Sequence, residues 1–88
     1  MITKSIEIKL PRGLEARPVA ELVQLASKYD SVVHIEAQSK KVNAKSIMGM
    51  MTFISIMNKA TAAKEKIDIK INGNDEGEAM DAIVAFFS

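Results

Sequence analysis

The stretch Ile67-Asp68-Ile69-Lys70-Ile71-Asn72-Gly73 decides the fold. Three isoleucines two residues apart, separated by charged residues, give an extended chain one apolar face and one wet face, and Gly73 stops the strand. Just beyond it, Asp75 and Glu78 form a capping-box-like pair before Ala79, Ala82, Ile83 and Phe86, which recur at helical spacing. Upstream, Ser46 stands before an apolar run with the length of a helix, and its side chain suits the first free amides of a helix beginning at Ile47. Strong helix formers between Ala60 and Lys66 extend that helix to about Ala63.

Further back, Val33, Ile35 and Ala37 alternate, and Gln38-Ser39 turns the chain into Lys40 to Asn43, a hairpin. From Ala16 to Tyr29 the apolar residues Val19, Leu22, Val23 and Ala26 follow helical spacing, with Pro18 in the first turn, where a missing N–H does no harm. The segment Ile2 to Leu10 alternates Ile6, Ile8 and Leu10 with Glu7 and Lys9, and Pro11, Arg12 and Gly13 interrupt it. The order is therefore βαββαβα. Elements with one apolar side each must bury it against another layer, so the expected class is α+β, a four-stranded antiparallel sheet with three helices on one face.

A chain of 88 residues makes one domain, spanning 1–88. It buries only about 60–65 per cent of the surface its unfolded form exposes, so the core must be economical. There is no cysteine and one histidine, which removes disulfides, thiol catalysis and thiolate metal sites and leaves little for zinc. No metal or cofactor is expected, nor enzymatic catalysis. Twelve basic against eleven acidic residues give a net charge of +1, far from the balance that phosphate-backbone contacts demand. The aromatics, Tyr29, Phe53, Phe86 and Phe87, lie on no expected strand, so a stacking platform for RNA is missing too. Lys4, Glu7 and Lys9 break up the first ten residues, unlike a signal peptide, and no run approaches the ~20 apolar residues that span a bilayer. A cytoplasmic protein without nucleic-acid or membrane partners is the expectation.

Gly13-Leu14-Glu15-Ala16-Arg17-Pro18 resembles the active-site signature of HPr, the histidine-containing phosphocarrier of the bacterial sugar phosphotransferase system, except that Glu15 replaces the histidine. Lys45-Ser46-Ile47-Met48-Gly49-Met50-Met51 resembles the family's regulatory serine segment, and Ser27-Lys28-Tyr29-Asp30 and Val42-Asn43-Ala44 fit the stretches between. The stretch between Phe53 and Lys66 is longer than the family's usual spacing; Gly73, Asp75, Glu76 and Ala79 resume the likeness. The resemblance implies an open-faced β-sandwich with the derived element order. It also implies an anion site of Glu15, Ala16 and Arg17 at the start of the first helix, where free N–H groups and the helix dipole favour negative charge. A glutamate cannot form a phosphoramidate, so transfer by the ordinary route should fail, as in a Crh-like, non-carrier class of the family. Glu15 is then either a fixed charge resembling the phosphorylated state or a solvated carboxylate.

By the same resemblance Ser46 is the site of HPr kinase/phosphorylase, and the modified form binds a LacI-type catabolite control repressor. At about 100° per residue, Ile47, Met50, Met51 and Ile54 share one helix face while Gly49, Phe53 and Ile56 share another, with Met48 beside them. A helix apolar all round needs a second partner. Ile47, Met48, Met51, Phe53 and Ile56 are therefore expected as a docking surface beside Ser46, the alternatives being a deeper core or a homodimer contact. Lys40, Lys41 and Lys45 could meet an anionic partner or stay solvated. His34, between Val33 and Ile35, is expected exposed on the sheet's other face.

Overall fold

The computed structural model describes residues 1–9 and 14–87, so Leu10, Pro11, Arg12 and Gly13, read above as strand end and turn, lie outside the described residues. The elements are β1 (Ile2–Ile6), α1 (Ala16–Ser27), β2 (Val32–Ala37), β3 (Lys40–Asn43), α2 (Ile47–Ala62), β4 (Ile67–Asn72) and α3 (Glu76–Phe87), in the expected order. The four strands form one antiparallel sheet in the order β1-β4-β2-β3. The Ile67 strand is an interior one, paired on both sides.

Register follows the pleat. Ile69 stands opposite Ile35 on one side and Lys4 on the other, and Ile71 opposite Val33 and Ile2. Val33, Ile35, Ala37, Ile67, Ile69 and Ile71 are buried beneath the helices. On the open face Lys70 Nζ meets the Glu36 carboxylate at 3.1 Å, and the Ser5 hydroxyl donates to Asp68. α2 packs over β2 and β3, α3 over β4 and β1, and α1 lies against both helices. The core joins Val19, Leu22 and Val23 of α1, Met50, Phe53 and Met57 of α2, and Met80, Ile83 and Phe87 of α3.

Two expectations change. β1 ends at Ile6 because Ile6↔Ile67 is the last pair that β4 offers; the following segment leaves the sheet, buries Ile8, and hydrogen-bonds through the Lys9 N–H to the Phe87 carbonyl at 3.2 Å. The second change concerns α2, whose buried side is Met50, Phe53, Met57 and Ala60. Phe53, read as a docking residue, is 4% exposed and belongs to the core that α2 shares with α1 and the sheet. Ile56, from the same group, is half-buried and packs against the core.

Most of the stretch between Phe53 and Lys66 is helix, α2 running to Ala62. α2 ends in a Schellman closure: the Glu65 N–H reaches the Ala60 carbonyl at 2.8 Å and the Lys64 N–H that of Thr61 at 3.0 Å, with Lys64 left-handed at φ 59°.

Candidate functional site

At the start of α2 the local sequence sets the geometry. Asn43 turns the chain out of β3 by accepting the Lys45 N–H on its side chain at 2.9 Å and the Ser46 N–H on its carbonyl at 3.0 Å. Lys45 Nζ donates to the Tyr29 carbonyl at 2.6 Å and so ties this turn to the end of α1. Ser46 is the N-cap, extended at φ −96° and ψ 110°, and its Oγ accepts the Gly49 N–H at 3.1 Å. A Cβ on Gly49 would stand 3.1 Å from both Ser46 Oγ and Val42 Cγ2, so glycine leaves the hydroxyl its room. The first turn of α2 holds no acidic residue. An anion on Ser46 would therefore meet free amides and the helix dipole without like-charge repulsion from within the helix.

Beside the cap, Met48 is 80% and Ile47 43% exposed, while Met51 is half-buried. Ile47 and Met48 form the exposed apolar surface next to Ser46. Of the five residues expected there, Phe53 belongs to the core, and Met51 and Ile56 are half-buried against it.

At the start of α1, Glu15 is the N-cap residue, extended at φ −124° and ψ 173°, with no capping bond from its side chain. Its carbonyl accepts the Val19 N–H at 3.1 Å. The carboxylate is exposed, as are Ala16 and Arg17. Arg17 pairs along the helix with Glu21 at 3.9 Å, a solvated contact worth little. The Leu14 backbone just ahead of Glu15 is held by Asn58 of α2. Ser46 and Asn58 lie on one helix, roughly 18 Å apart along its axis at 1.5 Å per residue, so α2 carries the serine cap at its start and the contact to Leu14 near its other end.

Asn58 escaped the sequence reading. Its signal was an asparagine, a poor helix former, inside a helix. His34 sits on the open face, in register between Asn43 and Lys70 of the two flanking strands, and is half-buried rather than exposed as expected. Among the described residues no cluster of His, Cys, Asp and Glu could hold a metal ion, and no helix is long and apolar enough to cross a membrane.

A small open-faced antiparallel sheet backed by three helices, with Glu15 at the start of α1 and a serine cap on α2, defines an α+β open-faced sandwich. The family model for the PTS HPr component phosphorylation site matches residues 2–88. The HPr-like protein Crh of Halalkalibacterium halodurans is 46% identical over 86 residues, covering 98% of this chain and 95% of that protein. A crystal structure of the phosphocarrier protein HPr from Bacillus anthracis superposes with a TM-score of 0.83 at 37% identity, covering 99% and 96% of the two chains. A crystal structure of Crh from Bacillus subtilis, described as a domain-swapped, intertwined dimer, gives a TM-score of 0.69 at 38% identity over 99% and 93%. The chain belongs to the HPr family of the phosphotransferase system.

Proposed function

We propose that this protein is an HPr-like regulatory adaptor of the phosphotransferase system and carbon catabolite repression, switched at Ser46 and unable to carry phosphoryl groups at the start of α1. The observation that carries the switch is the Ser46 cap: a hydroxyl on a preformed helix start, beside exposed Ile47 and Met48. An HPr kinase/phosphorylase would transfer the γ-phosphoryl of ATP to Ser46 Oγ, releasing ADP and the hydroxyl proton. The product adds about two negative charges and three acceptor oxygens at the helix start without refolding. A LacI-type repressor with a basic, partly apolar surface is the partner this arrangement fits. The Crh relatives, one of them named for catabolite repression, support the regulatory reading.

Glu15 occupies the place that resemblance assigns to the acceptor histidine. Its carboxylate could form only an acyl phosphate, a more hydrolysable species than a phosphoramidate. Relatives described as dimers make self-association a second surface use, and sedimentation of the unmodified protein measures it.

The deciding experiment is incubation with a cognate HPr kinase and ATP, read by mass spectrometry and followed by titration with the repressor. A single phosphoryl group on Ser46 that turns on binding is expected. An unmodified Ser46 would overturn the adaptor mechanism and leave α2 as an assembly element, whereas a stable acid-labile phosphoryl group acquired from phosphoenolpyruvate through the first enzyme of the system would return the protein to the carrier class.

A further inference from the structure

Leu14 is 2% exposed, and one side chain meets both of its backbone hydrogen-bonding groups. Its N–H donates to Asn58 Oδ1 and its C=O accepts from Asn58 Nδ2, each at 2.9 Å. A carboxamide carries a donor and an acceptor side by side, as a peptide group does, so Asn58 pairs with Leu14 much as a neighbouring strand would. The partners are 44 residues apart in sequence.

We infer that Asn58 is the positioning residue of the Glu15 site. The side chain of Glu15 makes no capping bond, and Arg17 leans away toward Glu21, so neither fixes where α1 begins. The Leu14 backbone is adjacent to Glu15 and clamped at both polar groups. Ile47, Met51, Ile54 and Asn58 recur at i, i+4, i+7 and i+11, a single stripe along α2. The clamp thus sets the Glu15 backbone and the first amides of α1 at one end of the stripe whose other end lies beside Ser46. Its consequence for binding rests on the adaptor reading above; the clamp itself does not.

Two variants test it in the full chain. Asn58→Ala removes both bonds at every pH. Asn58→Asp has a pH-dependent outcome: the carboxylate can accept the Leu14 N–H but repels the Leu14 carbonyl, whereas the protonated acid again donates and accepts. The expected result at pH 7 is a shift of the Leu14, Glu15, Ala16 and Arg17 amide resonances in both variants, with Leu14 exchanging about tenfold faster. On acidification those resonances return toward wild type only in Asn58→Asp, with a midpoint above the ordinary aspartate value of about 3.9. The Ser46-phosphorylated variants should bind the repressor about tenfold more weakly at pH 7. Unmoved amides at residues 15–17, or no acid recovery in Asn58→Asp, overturns the positioning role. A wild-type protein that fails to bind the repressor overturns the adaptor reading and leaves the amide result to judge the clamp.

Discussion

Asp75 holds Ser31 by two bonds: its Oδ1 accepts the Ser31 N–H at 3.0 Å and also the Ser31 hydroxyl. The other carboxylate oxygen accepts the Asp30 N–H at 2.9 Å, so the turn before α3 is latched to the turn before β2. Gly73 makes the approach possible. At φ 156° it lies where L side chains rarely go, and a Cβ there would stand 2.5 Å from Ser31 Oγ and 2.6 Å from its Cα.

This latch predicts an acid-sensitive fold. The Ser31 hydroxyl, followed by the Asp30 amide, holds the Asp75 carboxyl below its ordinary value of 3.8. A lowered folded value means that the latch stabilises fully above the unfolded pKa and is lost as pH falls through the folded one. In Asp75→Asn a carboxamide replaces the carboxylate, and its NH2 cannot accept the backbone N–H that one oxygen now takes. The melting temperature of the wild type should therefore fall below about pH 4, and the variant should start lower and lose that acid limb. An unchanged acid limb in Asp75→Asn would assign it to another carboxylate.

Phe53 and Met48 separate core from docking surface. Phe53→Ala empties a site 4% exposed and should lower stability by about 3–5 kcal/mol in urea unfolding. Met48→Ala should stay within about 0.5 kcal/mol. It should leave Ser46 modification intact yet weaken repressor binding, because it trims only the apolar part of the contact.

Lys64→Gly should stabilise the protein. Lys64 is the left-handed residue of the Schellman closure of α2, at φ 59°, a conformation that costs an L residue roughly 1–2 kcal/mol and glycine almost nothing. A gain of about 1 kcal/mol after the entropy of the freer chain is the expected outcome of denaturant titration.

Glu15→His should gain acceptance of phosphate from phosphoenolpyruvate through the first enzyme of the system. The amides that begin α1 remain in place and Arg17 is exposed to meet a phosphoryl group. Acid-labile phosphate should appear on the variant and not on the wild type. Failure of the variant would mean that the long α2 disturbs docking of the donor enzyme.

Period alone carried the element order, because Ile67, Ile69 and Ile71 alternate without a break and α1 shows a clean apolar stripe. Two short motifs at their proper distance carried the family, and a serine before an apolar run carried the cap of α2. The face of α2 was not legible. A helix with Ile47, Met50, Met51, Phe53, Ile54, Ile56 and Met57 distributed around it offers no polar side to orient it. The sides taken by the sheet and by α1 therefore decide that Phe53 is core and Met48 is surface.

Local signals reach only a few residues along the chain, and they account for the strands, the hairpin and the serine cap. The contacts that decide the sites are longer. Asp75 looked like a capping box for its own helix and instead grips Ser31, while Asn58 looked like an ordinary polar break and instead pairs with Leu14. In both cases a polar side chain satisfies backbone groups 44 residues away, and only packing of the helices onto the sheet brings donor and acceptor within reach.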